Sequence, residues 1–150
     1  MIRILLADDH PIVRDGLRAV LSTQADFAVV GEAESGVQVL AQVITLQPDI
    51  LLLDLEMPDG DGVATLQRLA ESWATVRVII FTAFDTDDRI VEAVRAGAKG
   101  YLLKGAPRAE LFNAIRVVHN GGSLLQPVIA SKLISRLTQP VTMPEPLTAR

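Results

Sequence analysis

The chain contains no cysteine, which excludes disulfide staples, thiolate metal ligands and thiol catalysis and is compatible with a cytoplasmic location. It also lacks any apolar run approaching the roughly 18 residues that a helix needs to cross a bilayer, so no membrane partner is expected. The first residues pass straight into an apolar run, without a basic flank or a small-residue cleavage pattern, and no secretory leader is expected from them. Positive charge is in deficit: the formal net charge is -4 and the pI about 5.1. A surface of that balance has no general electrostatic footprint for nucleic acid, and DNA binding would have to come from a part beyond this stretch.

What is present is a chain of 150 residues, 49% hydrophobic, enough for one domain with an ordinary core. Apolar runs alternate with segments of helical period. Ile2 to Ala7, Phe27 to Ala33, Asp49 to Leu53, Val76 to Phe81 and Tyr101 to Leu103 read as strands. Between them lie helical stripes: Val13, Leu17, Val20 and Leu21; Val37, Leu40, Ala41 and Ile44; Val63, Leu66 and Leu69; Ile90, Val91 and Val94. A fifth stripe, Leu111, Ala114, Ile115 and Val118, follows Pro107. Ser35 with Gln38 fits a capping box, Pro48 stops the second helix, and Gly97 stands where a left-handed C-cap belongs. Continuously apolar strands that alternate with helices predict a five-stranded, doubly wound parallel sheet in an α/β fold. This unit is expected over residues 1–120. Ile129, Leu133 and Leu137 predict a short extra helix within 121–138, and the proline-rich stretch 139–150 reads as a linker.

Four of the apolar runs end in a side chain that can do chemistry: Asp8-Asp9, Asp54, Thr82 and Lys104. In a parallel sheet these tips share one edge, the carboxyl end, where sites form in open α/β folds. Three carboxylates brought together repel, and they need a divalent cation or protons to coexist. Each residue alone is unremarkable, since an acidic pair before a helix is commonly a cap and a lone lysine is commonly solvated. Together they suit phosphoryl transfer to a carboxylate, which needs an in-line nucleophile, a divalent ion and neutralisation of the phosphoryl oxygens. Asp54, at the end of the middle strand, is the expected acceptor. Asp9 and Asp54 are expected to hold Mg²⁺, with Asp8 acting through water, while Lys104 and Thr82 reach the phosphoryl group.

The stretches Leu5-Leu6-Ala7-Asp8-Asp9-His10, Asp54-Leu55-Glu56-Met57-Pro58-Asp59-Gly60-Asp61-Gly62, Thr82-Ala83 and Gly97-Ala98-Lys99-Gly100-Tyr101-Leu102-Leu103-Lys104 resemble the bacterial response-regulator receiver domain over residues 1 to about 120. The resemblance implies a flavodoxin-like fold and a signalling switch rather than an enzyme. It implies Asp54 as phosphoacceptor for a sensor histidine kinase, and a homodimer on phosphorylation. It makes Asp8 and Asp9 an acidic pocket, the backbone carbonyl of Glu56 a metal ligand, and Thr82 and Tyr101 a switch pair. The run from Asp9 to Leu17, with Lys104-Gly105, is similar to the subfamily whose output is a LuxR-type helix-turn-helix. Leu147-Thr148-Ala149-Arg150 resembles the opening of that DNA-binding domain, so the chain is expected to be the receiver and linker of a longer transcription factor.

Three rivals fit less well, one of them a pseudo-receiver that interacts without phosphorylation, against which the intact Asp54 and Lys104 argue. A haloacid-dehalogenase-type phosphohydrolase expects an Asp-x-Asp nucleophile motif on its first strand, whereas Asp8 and Asp9 are adjacent. A flavodoxin-like nucleotide or flavin binder expects a glycine-rich phosphate loop where Asp9-His10-Pro11 would repel phosphate. Gly105 replaces the proline of many receivers, and Phe84 is expected to shield the phosphoryl group from water. His10 is expected to be a helix-entry residue rather than a ligand, His119 to suit a helix C-terminus, and Trp73 to pack.

Overall fold

The computed structural model describes residues 1–58, 60–72, 74–83 and 86–138, apart from the side chain of Asp61. Trp73, Phe84 and the expected linker 139–150 lie outside the described residues. In chain order the elements are β1 (Ile2–Ala7), α1 (Pro11–Leu21), β2 (Phe27–Ala33), α2 (Gly36–Leu46), β3 (Ile50–Leu53), β4 (Glu56–Met57) and β5 (Gly60–Asp61). They continue with α3 (Gly62–Glu71), β6 (Arg77–Thr82), α4 (Asp87–Arg95), β7 (Gly100–Leu103), α5 (Arg108–His119), β8 (Leu124–Leu125) and α6 (Pro127–Thr138). The main sheet runs β2-β1-β3-β6-β7-β8, and every described pairing in it is parallel. Among the described residues it has six strands where the sequence predicted five. The extra one, β8, is two residues long, too short for any periodicity to announce it.

Within the apolar runs, alternate residues serve opposite faces. Leu5, Leu51, Leu53, Ile80 and Tyr101 join one core, shared with residues of α2, α3, α4 and α6. Ile4, Leu6, Leu52, Ile79 and Leu102 join the other, with residues of α1 and α5. That double coverage is why the central strands carry no polar face. Helix α2 departs from expectation. Its buried side is Gly36, Val39 and Val43, while Val37 and Ile44 are 65% and 75% exposed. The apolar residues cover a broad arc beside the polar stripe of Gln38, Gln42 and Thr45, so spacing alone cannot select the inner part of that arc. Ser35 does cap it, accepting the Gln38 N–H, but the Gln38 amide oxygen accepts the N–H of Glu34 rather than closing the box on Ser35. Gly97 has φ +108°, as a left-handed C-terminal position requires. No helix among the described residues is long and apolar enough to cross a membrane.

Candidate functional site

The four tips meet because their strands are neighbours. β1, β3, β6 and β7 lie side by side, and Asp8, Asp54 and Lys104 each follow the last residue of a strand, while Thr82 ends β6. The ladder continues through them: Asp8 N–H donates to the Ala33 carbonyl (3.0 Å), Asp54 N–H to Ala7 (2.9 Å) and Lys104 N–H to Thr82 (2.9 Å). The backbone under the site is therefore part of the sheet. Gly62 keeps the opposite wall close. A Cβ there would stand 2.7 Å from Leu55 Cα and 2.8 Å from the Asp54 carbonyl, backbone atoms that cannot swing away.

Asp54 is buried and accepts from three donors. The Thr82 hydroxyl reaches Oδ1 at 2.8 Å, the Glu56 N–H reaches Oδ1 at 3.2 Å, and the Lys104 ammonium reaches Oδ2 at 2.9 Å. Lys104 also contacts Asp8 Oδ2 at 2.7 Å, so one ammonium bridges two buried carboxylates. Burial works against the charge of Asp8, but the hydrogen bond from Lys104 and those from the His10 backbone and ring outweigh it and hold its pKa below the ordinary carboxylate value. Burial likewise works against the ammonium, and its bonds to Asp8 and Asp54 raise the Lys104 pKa above the usual lysine value. Tyr101 is fully buried, on the sheet face shared with α4 and α6. Glu56 opens β4 with its side chain exposed. Phe84, the expected shield, lies outside the described residues.

Two contributors escaped the sequence reading. His10 is more than a residue at a helix start: its ring Nδ1 lies 2.9 Å from Asp8 Oδ1 and 3.0 Å from Asp9 Oδ1. Adjacency to the acidic pair was the available signal. Arg14 sits on α1 and looks like a surface residue in sequence, yet it is buried. Its Nη1 donates to the Asp8 carbonyl (2.6 Å), and its Nε to Glu32 Oε1 (2.8 Å), whose other oxygen accepts from Arg18 Nε (2.8 Å). Replacing Arg14 by alanine would leave the Asp8 carbonyl and part of Glu32 without a donor. The expected loss in urea unfolding is about 1–3 kcal/mol, with weakened binding of divalent cations as Asp8 loses its anchor. Unchanged stability and metal affinity would remove Arg14 from the site's support.

Asp8, Asp9, His10 and Asp54 each offer a ligand atom, all within 4.8 Å of one another. Asp9 Oδ1 is buried and makes no hydrogen bond, although the His10 ring nitrogen, bonded to Asp8, lies 3.0 Å from it. A buried carboxylate oxygen without a donor, facing two more carboxylates, fits a hard divalent cation. Acid chemistry of this kind suits Mg²⁺ better than a soft metal, since no thiolate is available.

Residues 4–116 match the family described as the response regulator receiver domain. The uncharacterised transcriptional regulatory protein YxjL of Bacillus subtilis is 37% identical over 155 residues, covering 99% of this chain and 71% of that protein. The transcriptional regulatory protein LiaR of the same organism is 39% identical over 137 residues, covering 91% of this chain and 65% of LiaR. Among solved structures, a LuxR-family two-component response regulator from Aurantimonas superposes with a TM-score of 0.86 at 32% identity, covering 91% of this chain and 98% of that one. The chain belongs to the response regulator receiver domain family, of the LuxR/NarL type, and its fold is the flavodoxin-like receiver fold. Such a domain is a signalling module rather than a turnover enzyme. The chain spans about two thirds of the length of the two Bacillus regulators.

Proposed function

We propose that this chain is a phosphorylation-controlled switch in which Asp54 accepts a phosphoryl group from a sensor histidine kinase and thereby controls a transcriptional output domain. The observation that carries the reading is the single ammonium of Lys104 held between Asp54 and Asp8, beside the Thr82 hydroxyl. An Asp54 oxygen attacks phosphorus in line, an O–P bond forms, and the bond from phosphorus to the donor's nitrogen or oxygen breaks. Lys104 is placed to turn from the carboxylate to a phosphoryl oxygen, and Thr82 to donate a hydrogen bond to another. Asp8, Asp9, Asp54 and the Glu56 backbone carbonyl would hold Mg²⁺, which when bound neutralises charge on the phosphoryl oxygens. Thr82 and Tyr101 form the switch pair: the buried Tyr101 occupies the inward position that a shift of Thr82 toward the phosphoryl group favours.

The unit over 1–120 is the switch, 121–138 adds a helix, and 139–150 leads to a DNA-binding domain outside this chain. That arrangement is supported by the longer regulators it matches and by the acidic balance, which favours DNA contact through another domain. A homodimer formed on phosphorylation and a cytoplasmic location complete the reading. Borohydride reduction of the phosphorylated chain, followed by peptide mapping, tests the acceptor. Conversion of Asp54 to homoserine is expected; modification at another carboxylate, with Asp54 intact, would overturn the assignment.

A further inference from the structure

Strand β7 carries Tyr101 and leads into Lys104, and its outer edge has, among the described residues, only a short partner. β8 supplies Leu124 and Leu125, paired with Gly100 and Tyr101. Pro127 then opens α6 and the chain leaves the sheet. The next acceptor along the ladder would be the Gln126 carbonyl, but that oxygen already accepts the N–H groups of Ile129 (2.8 Å) and Ala130 (2.9 Å) as the first turn of α6. The side chain takes its place. Leu103 N–H donates to Gln126 Oε1 at 2.8 Å, while Gln126 N–H donates to the Tyr101 carbonyl at 3.1 Å. One residue thus ends the sheet, starts α6 and holds the backbone immediately before Lys104.

The same helix is tied to α4. Arg136 Nη1 meets Asp88 Oδ1 at 2.6 Å, and Ile129 is fully buried in the core that contains Ile90, Ala93 and Tyr101. From this geometry we infer that Gln126 is a positioning residue for Lys104, one that couples the seating of α6 on α4 to phosphoryl chemistry at Asp54. The inference rests on Asp54 being the phosphoacceptor. The inner edge of the strand end is held by the Lys104 N–H on Thr82, and the outer edge by Gln126. Without the outer bond a half-buried N–H is left unpaired and the strand end is free to shift. A small displacement of a charge-neutralising group weakens transfer far more than it weakens folding. Coupling of this kind is reciprocal, so a change at Asp54 alters α6 and a change at α6 alters the site.

The test compares wild type, Gln126→Ala and Gln126→Glu in the full chain, with Mg²⁺ and acetyl phosphate. It reads the transfer rate and the hydrogen exchange of Leu103 and of α6. Gln126→Ala is expected to lower the rate constant at saturating acetyl phosphate about fivefold or more, to leave the half-saturating concentration unchanged, and to speed exchange in α6. Gln126→Glu keeps the acceptor oxygen and is expected to restore both. In wild type, phosphorylation is expected to change exchange at Leu103 and in α6. A wild-type rate in Gln126→Ala, no rescue by Gln126→Glu, or wild-type exchange untouched by phosphorylation would each overturn the coupling. The last comparison needs no variant and decides the matter even if Gln126→Ala does not fold. A wild type that takes up no phosphoryl group overturns the phosphoacceptor reading and this inference together; uptake without coupling overturns this inference alone.

Discussion

Replacing Lys104 by methionine is expected to slow phosphoryl uptake from acetyl phosphate by about 100-fold or more, the loss typical when a donor aimed at developing oxyanion charge is removed. Methionine keeps the apolar stem and deletes only the ammonium that touches Asp8 Oδ2 and Asp54 Oδ2. Two buried carboxylates then face each other without their shared cation. Affinity for Mg²⁺ is expected to rise in the same variant, because a competing positive charge has gone. The pH dependence of stability should change as well. Asp8 has a lowered folded pKa, so its contribution is present above its unfolded pKa and is lost as pH falls through the folded value. Lys104 has a raised folded pKa, so its contribution is present below the ordinary lysine value and is lost as pH rises through the higher folded one. Lys104→Met removes the largest influence lowering the Asp8 pKa, so acid unfolding should begin at a higher pH than in wild type, and the alkaline loss should disappear. Stability curves from urea titration across pH read both limbs. An unchanged acid limb with a wild-type transfer rate would show that the bridge has no part in either.

The second large effect has opposite signs in the presence and absence of metal. Asp9→Asn removes one of the clustered carboxylates, the one whose Oδ1 is buried and makes no hydrogen bond. Without a cation, relief of like-charge repulsion is expected to stabilise the fold by about 1 kcal/mol, the Coulomb energy of charges some 4 Å apart at nearly aqueous screening. With Mg²⁺ the order reverses. Affinity is expected to fall about tenfold or more, because a hard cation loses an anionic oxygen and gains a neutral amide. Thermal unfolding with and without Mg²⁺ therefore gives curves that cross between wild type and variant. A variant less stable in both conditions would mean that Asp9 supports the fold rather than a cation.

The part of this molecule legible in its sequence is the part governed by one repeated rule. A strand buried on both faces is apolar throughout, so a charged or hydroxyl-bearing residue at its end stands out, and Asp8, Asp9, Asp54, Thr82 and Lys104 are all visible on that ground. The order of strands then brings those ends together. What could not be read depends on choices that spacing does not encode. Helix α2 offers one broad apolar arc, and only packing tells that Val39 and Val43 are inside while Val37 and Ile44 face out. Arg14 shares the helical spacing of Leu17 and Leu21 but has the charge of a surface residue, and it is buried because Asp8 offers a carbonyl and β2 offers Glu32. Gly62 reads as part of a turn, yet its need for no side chain comes from Leu55 and Asp54 on the facing backbone. Gln126 carries no motif, and its work rests on a side chain replacing a ladder bond that helix α6 has already taken.

The most direct test of the central claim is intact mass after incubation with Mg²⁺ and acetyl phosphate, run beside Asp54→Asn and beside wild type in excess EDTA. The account predicts one added phosphoryl group on wild type, and none in either control. No adduct on a wild type shown to be folded by circular dichroism, or an adduct that persists in Asp54→Asn, would contradict it.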